Sequence, residues 1–500
     1  MARFTGMVTA FALLFATAAA SREPIATGYE SYTMPGYTLV AREEYAARSL
    51  VSEIQKIDRV LGVVLNRPTR VRGSPVFVVI VPGVVWQRYL EPGTAIVGEF
   101  VPGRFSNYLL LNTGNSPALR EGLYHEYTHL FLRTQYRSAL PLWFDEGMAE
   151  IMQFTKIRGS SADIGLPGVS NYGWPTIDGW LPVDRLLRLD KSSPEYRDSR
   201  FSHRVHVESW ALVHRGVIAQ PEFGRQMFAY LDAVNKLQPI DSAIQASFGM
   251  NAELLDDSMR DYLSQTKFSV ARVNFDPPAP VSLATGVPMS EVEALEFLAE
   301  TMFVSGFKPQ NLGEVIVAAE RRAPGSPNVL VLRMKLAVRD GDDAGFLRLL
   351  AEIEPRTSDA RIARGVGLAL ADRLRPAQTD DRLDPAARQE LAERALGMLD
   401  RAIRARPDDT EAVWAYGLLS AQSKRYLNTA LMRVRQAIER VPFNADLAMA
   451  AALLHEALGE PAQAIQRLQD TVRFSVSIEQ RSWAVRRLDE MKKDSKSIAR

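Results

Sequence analysis

Two histidines and a glutamate of this 500-residue chain have the spacing of a metal site. His125 and His129 stand four positions apart, and Glu126 directly follows the first of them. Residues four apart share one face of a helix, so the two imidazoles would point toward a common position. Glu126, one step round the helix, would reach a water molecule bound to the same ion. The pattern predicts a zinc site that activates water.

A hydrolytic zinc site needs three protein ligands and one position left for water. Cysteine is absent and the chain has six histidines, so histidine and carboxylate are the ligands available. Glu146 follows His129 after sixteen intervening residues and is a candidate third ligand, because that gap accommodates a loop and a returning helix. Glu150 lies one helical turn further on the same face, where it would accept a hydrogen bond from a ligand imidazole.

The elements before the histidines are predicted to alternate between strand and helix. A β-branched run predicts a buried strand at 77–81, and a shorter apolar stretch predicts another at 37–41. Apolar spacing between them predicts a helix over 43–65. Two short stretches, 99–101 and 108–111, are typical of a hairpin. We therefore expect a mixed region of strands and helices ahead of the metal-binding pattern.

Two helices should carry the candidate ligands. A Ser-Pro pair at 116–117 suits the first turn of a helix that includes both histidines. A second helix is expected from about Pro141. The stretch 158–182 is rich in glycine, serine and proline and predicts a long surface loop. Further helices are expected at 183–189 and 204–218.

The C-terminal part of the chain has a different pattern. Residues 274–289 are rich in proline and predict a linker, and 290–500 show nearly continuous amphipathic helix. Prolines punctuate this part at intervals of 31, 52 and 35 residues, at Pro324, Pro355, Pro407 and Pro442. The first and last intervals fit helix-pair repeats of about 34 residues, and the region resembles tetratricopeptide (TPR) repeats. An irregular helical bundle is the alternative.

The first twenty residues have the features of a secretory signal peptide. Arg3 precedes an apolar run at 7–16, and the small residues at 17–20 suit cleavage after Ala20. The run is shorter than the roughly 20 apolar residues that span a bilayer. An uncleaved anchor is the alternative. We expect a mature chain without a membrane span, in the periplasm or outside the cell.

Residues 141–150 read Pro-Leu-Trp-Phe-Asp-Glu-Gly-Met-Ala-Glu, an EGxAE element behind the HExxH pattern. Together the two motifs resemble the gluzincin metallopeptidases and, within them, the peptidase-MA-like proteins of bacteria. A Leu-Pro segment at 181–187 and a Ser-Trp-Ala-Leu-Val-His segment at 209–214 match further parts of that pattern. The likeness covers about residues 37–265 and implies an α+β zincin domain, thermolysin-like in fold, over 21–273. An all-α TPR-like helical-repeat domain would follow it.

The resemblance also implies roles for individual residues. Glu146 would be the third zinc ligand, and Glu126 the general base that takes a proton from the attacking water. The oxyanion of the tetrahedral intermediate would be stabilised by a donor on a later helix. We expect His206 to be that donor, with Tyr196 and His203 as alternatives.

Three further expectations concern strands, histidines and partners. In zincin folds a strand beside the metal binds extended peptide, and 105–111 is the candidate, with a purely structural strand as the alternative. His214 and His455 are expected to be structural. A net charge of +1 gives no electrostatic reason to expect nucleic acid as a partner.

The sequence as a whole predicts an exported zinc metallopeptidase, a hydrolase that cleaves peptide bonds. Its helical repeats would bind a protein partner or position the substrate, because stacked helix pairs build extended binding surfaces. One alternative is a zincin-fold scaffold of little or no activity whose repeats mediate protein–protein interaction. Another is a zinc hydrolase that acts on non-peptide bonds such as cell-wall amides.

Overall fold

The computed structural model describes residues 26–68, 74–90, 97–113, 118–136, 138–168, 179–265, 267–279, 283–375 and 384–498. The predicted signal peptide, 1–20, and the predicted helix start at 116–117 lie outside these residues. Within the described ranges, no helix combines the length and the apolar character needed to cross a membrane.

Nine strands in the described residues form two sheets. They are β1 Glu30–Met34, β2 Tyr37–Ala41, β3 Val76–Val81, β4 Gly98–Pro102, β5 Asn107–Asn112, β6 Lys156–Arg158, β7 Ser161–Ile164, β8 Ala271–Asn274 and β9 Val287–Pro288. The larger sheet has the order β4-β5-β3-β2-β1-β9, and the smaller has the order β6-β7-β8. β2, β3 and β5 run parallel, whereas β1, β4 and β9 are antiparallel to their neighbours. β4 is therefore an edge strand of a mixed sheet.

Ten helices in the same described ranges follow or interrupt the strands up to residue 263. They are α1 Glu44–Val64, α2 Gly83–Val85, α3 Leu119–Gln135, α4 Leu142–Gln153, α5 Val183–Arg188, α6 Pro194–Arg197, α7 Ser199–His214, α8 Pro221–Asn235, α9 Ile240–Phe248 and α10 Ala252–Leu263. Two π-helical turns, Trp86–Leu90 and Arg215–Ala219, extend α2 and α7. α3 packs against α1, α4 and β4, and α4 packs against α7. These contacts gather the elements that carry the candidate ligands.

The larger sheet buries both of its faces. Successive side chains of a strand point to opposite faces, so Val78 and Leu109 join one apolar core while Val79 and Leu110 join another. The first core includes α1, α3, α4 and α7. Burial on both faces explains the continuous apolar sequences of β3 and β5.

Most elements predicted around the histidines are confirmed. The strands expected at 37–41 and 77–81 and the helix expected at 43–65 correspond to β2, β3 and α1. The expected hairpin is formed by β4 and β5. The helices expected from Pro141, at 183–189 and near 204–218 correspond to α4, α5 and α7.

The long surface loop predicted at 158–182 is wrong at its beginning, where β6 and β7 form a hairpin. The side chains of Ala162 and Ile164, two residues apart, point to the same face of β7 and are buried. This face of β7 therefore packs against the apolar core. Gly159 takes a φ of +59°, a left-handed conformation that glycine adopts at low cost in a tight turn. The glycine and serine of this stretch therefore mark a turn between strands. Residues 169–178 lie outside the described residues.

In the described residues, the C-terminal part consists of five successive helix pairs and one final helix. They are α11 Glu291–Ser305, α12 Leu312–Arg322, α13 Pro327–Asp340, α14 Asp343–Ile353, α15 Ala360–Arg373, α16 Pro385–Ala405, α17 Thr410–Ser423, α18 Leu427–Arg440, α19 Ala445–Ala457, α20 Pro461–Phe474 and α21 Ile478–Ile498. The two helices of each pair contact one another, and the first helices, α11, α13, α15, α17 and α19, contact each other in turn. Pairs that stack through nearest neighbours are the mark of a helical repeat.

The prolines noted in the sequence stand where the second helix of a pair has ended. Pro324, Pro355, Pro407 and Pro442 follow α12, α14, α16 and α18. Proline lacks the amide hydrogen that would continue the helix. The spacing of the prolines therefore corresponds to the length of each helix pair. The predicted helical-repeat arrangement is confirmed.

The first helix pair of the repeats also covers the larger sheet. Leu298 and Met302 of α11 and Ile316 of α12 belong to the core on its second face. β9, which lies within the segment 274–289 predicted as a linker, pairs with β1 in the same sheet. The sheet thus lies between two helical layers, and the chain reaches the repeats by way of the sheet edge.

Candidate metal centre

A glycine allows the helices that carry the candidate site to approach closely. A Cβ on Gly147 of α4 would lie 2.4 Å from the carbonyl oxygen of Ser209 and 2.5 Å from Cγ2 of Val213, both on α7. No side chain fits in that space. The EGxAE motif therefore needs its glycine, because this contact brings α7, with His206, beside Glu146.

Glu146 occupies the centre of a cluster of imidazoles. Its Oε2 lies 3.5 Å from Nε2 of His125 and 3.5 Å from Nε2 of His129. Nδ1 of His206 lies at the same distance. Oε1 accepts a hydrogen bond of 2.8 Å from the hydroxyl of Tyr196. Glu146 is 1 % exposed, and its Oε2 accepts no hydrogen bond from any residue that the structure describes.

Each of the two motif histidines faces an oxygen on its far side. Nδ1 of His125 lies 3.0 Å from Oε1 of Gln153. Nδ1 of His129 lies 2.9 Å from Oδ1 of Asp145. The Gln153 oxygen favours the His125 tautomer with its proton on Nδ1, which leaves the lone pair of its Nε2 for a ligand. Nδ1 of His129 lies close to Asp145 but makes no hydrogen bond to a residue that the structure describes. Sequence reasoning missed both Asp145 and Gln153.

Glu150 differs from its expected role. The sequence predicts that it accepts a hydrogen bond from a ligand imidazole, but its Oε1 lies 3.8 Å from Nδ1 of His125, beyond hydrogen-bonding distance. Gln153, one turn further along α4, takes that position. Glu150 instead lies 3.2 Å from Nδ1 of His206. The helical spacing of 146, 150 and 153 is a signal for Gln153, because residues three and four apart share one face of the helix.

Two groupings of these side chains have their ligand atoms within 4.8 Å of one another in the described residues. The first contains His125, His129 and Glu146, and the second contains His125, Glu150 and His206. The first uses two Nε2 atoms and an oxygen without a hydrogen bond. In the second, Nδ1 of His125 lies 3.8 Å from Glu150 and faces Gln153. The first grouping is the one whose histidines both lie 3.5 Å from a carboxylate oxygen that accepts no hydrogen bond in the described residues.

Burial and the neighbouring charges shift the pKa values of this cluster in opposite directions. Burial lowers the pKa of His125, but the nearby Glu146 and Glu126 outweigh it and raise that pKa to about 9. Burial raises the pKa of Glu146, but His129 and His206 hold it well below its usual range. An ionised carboxylate among imidazoles would attract a divalent cation, and binding of that cation would release protons.

Glu126 is held by the edge strand of the sheet. The backbone amide of Phe100 in β4 donates a 2.7 Å hydrogen bond to Oε2 of Glu126. The Phe100 ring stacks on the ring of His129, with centroids 6.5 Å apart and planes at 19°. Gly98 leaves room for this contact, because a Cβ there would lie 3.3 Å from Cγ of Glu126. The site is therefore built from α3, α4, α7 and β4.

The strand beside the site is β4, and the assignment of 105–111 to that position is wrong. The strand in that segment, β5, lies between β4 and β3, so its hydrogen-bonding edges are both occupied. All six of its residues are buried, which is typical of an interior strand. β4 carries Glu99, whose pKa is raised to about 8, first by burial and then by the charge of Glu126.

The residues considered as oxyanion donors occupy different places. His206 and Tyr196 both lie at Glu146, and their rings stack with centroids 6.0 Å apart. Burial lowers the pKa of His206, but Glu146 and Glu150 raise it above its usual value. His203 is exposed on α7 and belongs to neither grouping found in the described residues.

The remaining two histidines have the surroundings of structural residues. His214 is buried between the hydroxyl of Tyr262, at 2.6 Å, and the carbonyl oxygen of Ser269, at 2.9 Å. Burial lowers its pKa to about 4. His455 lies in α19, with Nδ1 2.6 Å from a carboxylate oxygen of Glu460. Each ring is held by contacts within its own part of the fold, away from the cluster around Glu146.

Comparison with known proteins gives matches of structure alone. No known family and no curated protein matches the chain in sequence. It is similar to a thermophilic TPR protein of Thermus thermophilus, with 17% identity and a TM-score of 0.32 over 39% of this chain and 97% of that one. It is also similar to YrrB, a TPR protein with an unusual peptide-binding site, with 14% identity and a TM-score of 0.28 over 39% and 91% of the two chains. A tetratricopeptide repeat protein from Parabacteroides merdae matches with 12% identity and a TM-score of 0.28 over 54% and 93%.

Proposed function

We propose that this chain is an exported zinc metallopeptidase of the gluzincin kind, in which His125, His129 and Glu146 bind Zn2+. One observation carries the proposal: Oε2 of Glu146 lies 3.5 Å from Nε2 of each motif histidine. The two histidines come from one helix and the glutamate from the next, as the paired HExxH and EGxAE motifs imply.

The donor atoms fit a zinc ion. Two ligand atoms that each bind a tetrahedral zinc at about 2.1 Å lie about 3.4 Å apart, close to the 3.5 Å found between Glu146 and each imidazole. The buried Oε2 without a hydrogen bond is a further mark of a cation site. Two imidazoles and one carboxylate suit zinc better than magnesium or calcium, which prefer oxygen ligands.

The residues around these ligands supply the remaining parts of a hydrolytic site. Bound zinc would lower the pKa of a water molecule and polarise a peptide carbonyl. Phe100 holds one oxygen of Glu126, so the carboxylate is fixed and can take a proton from the attacking water. In such a reaction the water oxygen would join the carbonyl carbon, the C–N bond would break, and Glu126 would pass the proton to the leaving amine nitrogen.

His206 is the donor that we assign to the oxyanion. The carboxylates of Glu146 and Glu150 favour its protonated form, which carries the positive charge that an oxyanion needs. Tyr196 is the alternative, because its hydroxyl lies at the same carboxylate. Exposed His203 is no longer a candidate.

The helical repeats would serve recognition. Their successive pairs offer a long surface to a protein partner or to the unfolded substrate. Export is part of the proposal because the first twenty residues have the order of charge, apolar run and small residues that a signal peptidase reads.

The experiment is a comparison of wild type with Glu126→Gln. We expect about one zinc per chain in both proteins, measured by plasma mass spectrometry, and cleavage of an unfolded protein such as reduced casein by wild type alone. Glu121→Gln is the matched control, because Glu121 lies in the first turn of the same helix; it should keep both zinc and activity.

Each other outcome rejects the proposal in a specific way. Zinc binding without hydrolysis of any peptide would favour a scaffold whose repeats mediate protein interaction. Hydrolysis of peptidoglycan fragments without hydrolysis of peptides would favour an amidase. Failure to bind zinc would remove the metal centre altogether.

A further inference from the structure

The turn between β4 and β5 is docked on the helical repeats. Nε of Arg104 donates a 3.0 Å hydrogen bond to Asp446 in α19, and its guanidinium lies 4.2 Å from the ring centroid of Trp414 in α17. The Phe105 ring packs on the same tryptophan, with centroids 5.5 Å apart. The side chain of Asn444 donates to the carbonyl oxygen of Arg104. The turn, residues 103–106, therefore rests on the first helices of two successive pairs.

The other side of this turn is fixed by the metal-binding helix. Arg133, in the last turn of α3, donates to the carbonyl oxygen of Gly103 at 3.3 Å and to Oδ1 of Asn107 at 3.2 Å. A Cβ on Gly103 would lie 2.1 Å from the carbonyl oxygen of Ser106, so the turn closes only with glycine there. The turn thus bridges the repeats and the end of the helix that carries both histidines.

A second contact lies on the loop between α3 and α4. The backbone amide of Ala139 donates a 3.0 Å hydrogen bond to the carbonyl oxygen of Arg473, at the end of α20. The repeats therefore contact the hairpin that ends β4 and the connection between the two ligand-bearing helices.

Strand β4 depends on this docking more than an interior strand would. Among the described residues its one neighbour in the sheet is β5, and on its other edge the Phe100 amide donates to Glu126. An edge strand with one paired side is held less firmly than a central strand. It leads into the docked turn, and its middle residue, Phe100, carries the amide that holds Glu126.

We infer that Arg104 and Phe105 are positioning residues: by docking on Trp414 and Asp446 of the repeats, they fix edge strand β4 beside the metal centre for an extended peptide substrate. The inference rests on the proposed function for its peptide, because β4 would bind that peptide by main-chain hydrogen bonds. The repeats would then support the site through contacts within the chain, in addition to binding any partner that they recognise.

The test is amide hydrogen exchange measured by mass spectrometry on the full chain with zinc added. The double variant R104A/F105A should exchange the amides of 98–112 at least tenfold faster than wild type, with unchanged zinc content. Arg104→Lys and Phe105→Tyr, which keep the charge and the ring, should restore protection. In hydrolysis of an extended peptide, the double variant should raise KM about tenfold and change kcat less, because uniform substrate binding is lost.

Arg433→Ala is the matched control. Arg433 has the same pair of contacts inside the repeats, a hydrogen bond to Asp400 and a guanidinium 4.8 Å from the ring of Tyr416. Its removal should leave the exchange of 98–112 unchanged. Equal exchange of 98–112 in the double variant and wild type would overturn the inference, and so would the same acceleration in Arg433→Ala. A wild type that hydrolyses no peptide would reject the proposed function, while the exchange data would still decide whether the repeats hold β4.

Discussion

Asp58 is a half-buried carboxyl that ties α1 to α3, the helix that carries His125 and His129. The hydroxyl of Tyr127, inside the HExxH pattern, donates a 2.8 Å hydrogen bond to Oδ1 of Asp58 and lies 2.6 Å from the hydroxyl of Tyr37. Burial raises the pKa of Asp58 from 3.8 to about 6, and the Tyr127 bond and Arg59 only partly offset this rise. We predict that Asp58→Asn stabilises the protein at neutral pH.

The raised pKa of Asp58 decides whether the substitution stabilises or destabilises the protein. Because the folded protein binds the Asp58 proton more tightly than the unfolded chain, its stability falls as pH rises from 3.8 to about 6 and stays lower above that range. A rise of this size corresponds to about 3 kcal/mol at most. Asparagine has no proton to lose and its Oδ1 still accepts from Tyr127. The variant should therefore gain about 1–3 kcal/mol at pH 7.5 and almost nothing at pH 4.

The assay is urea unfolding of wild type and variant, followed by circular dichroism from pH 4 to pH 8. The difference between the two free energies of unfolding isolates Asp58 from all other titrating groups. A difference that stays constant over this range, or a variant less stable than wild type at pH 7.5, would show that the pKa of Asp58 is not raised on folding. It would mean that Asp58 is ionised in the folded state and that its charge contributes to the Tyr127 bond.

Three further predictions follow from the site and its surroundings. Gln153→Ala should weaken zinc binding about 10- to 100-fold in competition with a chelator, because Nδ1 of His125 loses its acceptor; unchanged affinity would contradict the assigned tautomer. Gly147→Ala should destabilise the protein by about 1–3 kcal/mol in urea unfolding, since its methyl group would meet the backbone of Ser209. The control variant on the same helix, Ala149→Gly, should leave α4 packed against α7. Edman sequencing of exported protein should begin at Ser21; a first residue of Met1 would indicate an uncleaved anchor.

The local part of the site could be predicted from the sequence because it depends on helical periodicity. His125 and His129 are neighbours on any helix, and the turn from Glu146 to Glu150 follows from the same spacing. The position of Glu146 opposite the histidines needed one more step, a loop short enough to bring α4 back onto α3. In the structure α3 ends at Gln135 and α4 begins at Leu142.

Long-range backbone contacts could not be predicted in this way. The amide that holds Glu126 belongs to Phe100, and its place depends on the order of strands in the sheet, which local pattern does not give. A signal was present in β5, whose continuous apolar sequence is typical of an interior strand, while β4 includes charged Glu99. The docking of Arg104 on Asp446 joins residues far apart in the chain, and no periodicity records it.

The most direct measurement is anomalous diffraction at the zinc absorption edge from crystals of the full chain. We expect a single strong peak about 2.1 Å from Nε2 of His125, Nε2 of His129 and Oε2 of Glu146, absent from crystals of Glu146→Gln grown in the same zinc concentration. A peak among His125, Glu150 and His206, or no peak within bonding distance of Glu146, would contradict it.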